Sequence, residues 1–221
     1  MKVLVISVHP DDETLGCGGT ILKHKKNGDE LYWLIITKAD EKLGFSREFI
    51  DKRKSEIKNV AQRYGFINIF ELGYLTTKLH LVDISDLIKN ISNIITHIRP
   101  EIIYMNNRGD IHTDHQVAAK AIMSCVKSFR YPFIKRILMY ECISETEMAP
   151  GFPENIFIPN VYSDITDYIN EKIEIMKIYE SELQIPPLPR SLDNIASLAR
   201  FRGASCGVEY AEAFMLVRER F

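Results

Sequence analysis

Two short stretches concentrate the residue types that carry acid–base and metal chemistry. His9-Pro10-Asp11-Asp12-Glu13 lies near the start of the chain, and His112-Thr113-Asp114-His115 lies near its middle. Each holds a pair three residues apart: His9 with Asp12, and His112 with His115. Imidazole and carboxylate donors with one position left open suit a catalytic Zn2+, and after it Fe2+ or Mn2+. Such an ion lowers the pKa of bound water to about 7 and polarises a carbonyl. A spare carboxylate beside it can take the water's proton. A spare histidine can stabilise an oxyanion or protonate a leaving group. Each stretch alone has a plainer reading. HPDDE could be an acidic helix start, favourable at a helix N-terminus, and HTDH a capped loop. The two together, at neighbouring strand ends, favour a site.

The elements around these stretches predict that placement. Val3 to Val8 is a near-continuous apolar run, as in a strand buried on both faces. A helix follows over about Thr14 to Lys26, ended by Asn27-Gly28. Leu31 to Thr37 is the second strand. A helix from about Arg47 to Tyr64 stops at Gly65, and Asn68 to Leu72 is a short third strand. Asp83 can cap the next helix, whose Ile84, Leu87, Ile88, Ile91, Ile94, Ile95 and Ile98 form one apolar stripe. Glu101 to Asn106 is the fourth strand, a helical face follows from Val117 to Val126, and Arg136 to Cys142 is the fifth strand. Repeated βα units require right-handed crossovers. The expected fold is α/β: a Rossmann-like, doubly wound, mostly parallel sheet with helices on both faces. In strand order 3-2-1-4-5 the first and fourth strands meet at the switch point, where ligands bind. The loops after Val8 and Asn106 should therefore face each other.

Beyond Cys142 the rhythm changes. Pro150, Pro153 and Pro159 flank an extended piece around Asn155 to Ile158. Asp164 to Glu182 reads as helix, and the prolines of Ile185-Pro186-Pro187-Leu188-Pro189 exclude one there. Ser191 can cap a last helix to about Phe201, and Ala213 to Val217 reads as a closing strand. The expectation is one domain over 1–221, with a core of about 1–145 and a smaller extension of about 146–221.

Composition sets outer bounds. The 221 residues are 46% hydrophobic and 26% charged, as in an ordinary globular protein. Twenty-eight basic against thirty acidic residues leave no excess to attract nucleic acid. No stretch reaches the roughly 20 apolar residues of a membrane span, and the first residues lack a signal-peptide cleavage site. Cys17, Cys125, Cys142 and Cys206 form no CxxC pair, so they read as reduced, mostly buried thiols of a cytoplasmic protein. Gly16-Cys17-Gly18-Gly19-Thr20 fits neither GxGxxG nor GxxxxGK[ST]; close helix–sheet packing is the better account. His24, His80 and His97 lack partners at ligand spacing and read as surface or boundary residues.

HPDDE followed by HxDH resembles the PIG-L/LmbE-like family of metal-dependent N-deacetylases. Arg53, Glu56 and Gly65 fit its second helix. Arg202-Gly203, Gly207 and Tyr210-Ala211-Glu212-Ala213-Phe214 look like its C-terminal signature. The resemblance implies that His9, Asp12 and His115 bind zinc and that Asp11 is the general base. It implies that His112 stabilises the oxyanion or helps protonate the amine, and that Asp114 orients a neighbouring histidine. Arg53 matches a substrate-contacting position; a surface ion pair is its plainer reading. The implied reaction is removal of the N-acetyl group from an N-acetylglucosamine-type sugar or conjugate. The implied assembly is a homo-trimer or hexamer. Where the family often has Asp after its third strand, this chain has Leu75-Thr76-Thr77-Lys78, which bears on the sugar and not on the metal. Rival readings are a deformylase or deacylase of another amino sugar or small amide, and a non-catalytic sugar-binding protein of the same fold.

Overall fold

The computed structural model describes residues 1–221. At its centre is β1 (Lys2–Ser7), whose Val3, Leu4, Val5 and Ile6 are all fully buried. Alternation along the strand decides which layer each side chain meets. Val3 and Val5 join Leu31, Trp33 and Ile35 of β2 (Glu30–Lys38) in one core. Leu4 and Ile6 join Leu34 and Ile36 in the other. The first core is closed by α1 (Asp12–Lys26), α2 (Arg47–Tyr64), α5 (Ile169–Met176) and α6 (Leu192–Cys206). The second is closed by α3 (Ile84–Ile98) and α4 (Thr113–Ser124).

The remaining strands are β3 (Asn68–Leu75), β4 (Ile102–Asn106), β5 (Arg136–Tyr140), β6 (Val161–Asp164) and β7 (Ala211–Glu219). The sheet order is β3-β2-β1-β4-β5-β7-β6. The first five strands are parallel in the expected 3-2-1-4-5 order. β7 is antiparallel to both β5 and β6. Because β1 pairs directly with β4, the loops at their carboxyl ends lie side by side. Local signals fix the flanking helices. Asp83 accepts from the Ser85 amide to start α3, and α2 ends on Gly65 with φ 76°. No helix is long and apolar enough to cross a membrane.

Three expectations after residue 145 change. The piece around Asn155 to Ile158 begins in a turn and holds no regular element, and a strand the sequence did not announce, β6, follows where Val161 to Asp164 pair with β7. The helix expected over 164–182 shrinks to α5. Asp164 ends the strand and turns the chain by accepting from the Thr166 amide and hydroxyl. After Met176 the bonds tighten to i→i+3 turns, Ile178 to Ile175 and Tyr179 to Met176. The last helix begins at Ser191 as expected but runs to Cys206 and ends on Gly207 with φ 81°. All four cysteines are free; only Cys206 is exposed.

Candidate metal and active site

β1 delivers the first loop and β4 the second. Asp11, between β1 and α1, has φ 136°, in the region that side chains disfavour. Its amide donates to Glu13 Oε2 at 3.1 Å. Glu13 is fully buried and is itself held by the hydroxyls of Ser7, Thr14 and Tyr179. Asp12 turns back onto the strand end, where its Oδ2 accepts from the amides of Val8 at 2.9 Å and His9 at 2.8 Å. In the second loop His112 is the N-cap of α4, its Nδ1 accepting from the Asp114 amide at 3.1 Å.

These turns bring His9, Asp12 and His115 together, with ligand atoms all within 4.8 Å of one another. His9 Nδ1 lies 3.2 Å from His115 Nε2, and that nitrogen lies 3.5 Å from Asp12 Oδ2. The far nitrogen of each ring is backed by a carboxylate: His9 Nε2 by Asp114 at 3.3 Å, His115 Nδ1 by Asp110 at 2.8 Å. Asp114 is steadied in turn by the amides of Thr77 at 2.6 Å and Leu79 at 3.1 Å. Imidazoles aimed by carboxylates, plus one aspartate, are the donor set of a divalent transition metal. These residues could hold one. His9, His112 and Asp114 form a second such group, sharing His9 with the first.

Burial sets the electrostatics. It pushes Asp11 well above the usual carboxylate range, helped by Asp12 and Glu182 and opposed by Arg190. Burial also acts against charge on Asp12, but His115, His9 and the His9 amide hold it below its ordinary value. His115 rises to about 9: burial opposes this, and Asp12 and Asp110 outweigh it. His112 falls to about 4 through burial and the neighbouring His9 and His115. Its ring is therefore neutral near pH 7.

The cleft over this cluster has a volume of about 220 Å3, and its wall includes Phe45, Phe49, Glu145 and Arg190. Arg53 lines it too, but not as a surface ion pair. It is buried, donates to the Pro10 carbonyl at 3.0 Å and Ser181 Oγ at 2.8 Å, and pairs with Glu56 and Glu182. The Leu75–Lys78 segment contributes backbone to Asp114 and the Thr76 side of the cleft. Four neighbours were not singled out from sequence: Asp110, Cys142, Glu182 and Arg190. Cys142 Sγ donates to Asp12 Oδ1 at 3.3 Å, and Arg190 reaches Asp11 at 3.4 Å and Glu182 at 2.8 Å. Asp110 carried a faint signal, sitting in the same loop as His115. The others approach from remote strands and turns.

Fold and site together define an α/β protein with a two-histidine, one-aspartate group at the switch point of its sheet. The chain matches the family PIG-L, GlcNAc-PI de-N-acetylase, over residues 4–126 and belongs to it. It is 27% identical over 226 residues to the diacetylchitobiose deacetylase of Thermococcus kodakarensis, covering 98% of this chain and 83% of that protein. Its fold is like that of a conserved protein from Thermus thermophilus, with TM-score 0.79, 23% identity, and 99% and 96% of the two chains covered. It is also like that of the 4-carboxy-2-hydroxymuconate hydratase from Pseudomonas putida, with TM-score 0.73, 17% identity, and 100% and 97% covered. A hydratase on the same fold shows that architecture alone does not select the reaction.

Proposed function

We propose that the chain is a metal-dependent hydrolase that removes the N-acetyl group from an N-acetylglucosamine-type sugar or conjugate, with Zn2+ as its metal. The observation that carries this reading is the His9–Asp12–His115 cluster beside Asp11, in a chain of this family. The deacetylase relative supports the choice of an N-acetyl group.

A Zn2+ ion held by His9, Asp12 and His115 would supply Lewis acidity and an acidified water. Asp11 stands next to Asp12 with its basicity raised, and takes the proton of the attacking water. Arg190 steadies the Asp11 carboxylate before that transfer. His112 acts as a neutral donor. Its Nδ1 accepts a backbone N–H, so its proton sits on Nε2, free to bond the oxyanion. A ring with pKa about 4 is a weak proton source near pH 7, which favours oxyanion stabilisation; the proton that Asp11 took from the water then passes to the leaving amine as the C–N bond breaks. Asp114 and Asp110 fix the ring orientations of His9 and His115. Arg53 borders the substrate and holds the Pro10 carbonyl of the first loop. Phe45 and Phe49 with Glu145 offer a sugar its two faces, apolar and polar. The substrate is a small amino sugar met in the cytoplasm, and the family resemblance implies a trimer or hexamer.

The test is acetate release across N-acetylglucosamine conjugates and other N-acyl amines, with metal content measured alongside. Asp12→Ala should lose metal and turnover together. Asp11→Asn should keep its metal and lose about 10²-fold or more in kcat. An Asp11→Asn protein at full rate would falsify the base assignment. Metal and sugar binding without acetate release would favour the non-catalytic reading, and release of formate alone the deformylase.

A further inference from the structure

Lys172 of α5 and Glu212 of β7 are 3% and 4% exposed and pair at 2.7 Å. A buried ion pair adds little net stability and invites another explanation. Its location supplies one. Helix α1 is broken at Cys17, whose φ −146° and ψ 22° are not helical. In an unbroken helix the Leu15 carbonyl would accept from the Gly19 amide. Here Lys172 Nζ donates to the Leu15 carbonyl at 3.0 Å, and the Gly19 amide donates to Glu212 Oε1 at 2.8 Å. Glu212 Oε2 takes the Thr20 amide at 2.7 Å and the Thr20 hydroxyl at 2.6 Å. The ion pair is thus spliced into the helix at its break, lysine on one side and glutamate on the other.

The turn before the break carries Asp12, and Asp11 immediately precedes it. We propose that Lys172 and Glu212 are positioning residues: their pair holds the break in α1 open and thereby sets the direction in which Asp11 and Asp12 are presented. This rests on the reading of His9, Asp12 and His115 as metal ligands. Without the pair, the Gly19 amide and the Leu15 carbonyl can bond each other. The helix then closes its gap, and the first turn swings away from the strand end.

The full-length double variant Lys172→Met/Glu212→Leu removes both charges and leaves neither unpaired. It should melt in one cooperative transition close to the parent's. In competition with a chromophoric chelator it should bind Zn2+ about tenfold or more weakly, the scale of lost ligand orientation. On a substrate the parent turns over, kcat should fall with KM little changed. In spectra of the metal-free protein, the Val8 and His9 amide signals should shift, because both amides donate to Asp12 Oδ2. Parental Zn2+ affinity with unmoved Val8 and His9 signals overturns the proposal. Should the double variant not fold, Glu212→Asp decides: it keeps the charge and withdraws the carboxylate by one methylene. Weakened Zn2+ binding supports the positioning role, and parental affinity overturns it. A parent that takes up no Zn2+ defeats the functional reading instead, and the Val8 and His9 signals still decide this one.

Discussion

His115 is gripped by carboxylates at both ring nitrogens, Asp110 at 2.8 Å and Asp12 at 3.5 Å. In the metal-free chain this lifts its pKa from 6.5 to about 9. The ring is therefore protonated between those values and must lose that proton to accept a metal. Metal uptake at pH 7.5 should release about one proton from His115; the release should halve near pH 9 and approach zero about a unit above it. Titration calorimetry in buffers of different ionisation enthalpy measures this; zero release at pH 7.5 contradicts it. Asp110→Asn should release fewer protons and bind metal about 10–100-fold more weakly. His9, Asp12 and His115 were legible in sequence as candidate ligands, because each loop carries a pair three residues apart that needs only a turn to converge; the resemblance, not the spacing, singled out His115 over His112. Cys142, Glu182 and Arg190 were not. They reach Asp12, Asp11 and one another across the fold, and no local spacing encodes that.

Helix α1 shows what a short sequence can and cannot reveal at the scale of an element. Its glycines pack closely, as their sequence pattern predicts. A Cβ on Gly16 would lie 2.2 Å from the Tyr140 ring, and one on Gly19 would lie 2.7 Å from Ile165. Tyr140 cannot retreat, since it is fully buried and its hydroxyl donates to the Ile6 carbonyl at 2.8 Å. Gly16→Ala should therefore cost about 1–3 kcal/mol by overpacking. Chemical denaturation would show it as a lower midpoint at unchanged slope. The break at Cys17 was not legible, because its partners Lys172 and Glu212 lie far along the chain. The same limit explains the helix read over 164–182. Apolar spacing there fits a helix, but pairing with remote β7 takes Asp164 into β6, and the turns at Thr166 and after Met176 leave helix only over Ile169–Met176.

At the scale of the molecule, the part after residue 145 is no loose appendage. β7 lies between β5 and β6, and Ile175, Tyr179, Ile195 and Phe214 share a core with Val3, Val5 and Trp33. We expect one cooperative unfolding transition for 1–221, with equal calorimetric and van't Hoff enthalpies. A chain cut after residue 145 should be insoluble, with the β5 edge bare. Two resolved transitions, or a soluble helical 1–145 fragment, would count against a single unit. The five parallel strands followed from alternation of apolar runs. Of the antiparallel pair, β7 was legible as a closing strand over Ala213 to Val217, but β6 was not, because a four-residue strand just after Pro159 leaves little periodic signal.

The seat of β7 also imposes an order on events in the cell. A ribosome adds about 5–20 residues per second, so Glu212 emerges roughly 5–20 seconds after the last of the three histidines. Through that interval the nascent chain carries Asp11 and Asp12 at the start of α1, a helix nothing yet clamps. If the Lys172–Glu212 splice sets the aim of that helix, ion capture is the closing act of maturation. A scarce metal would then be withheld from chains still being made and granted only to those whose sheet has been sealed.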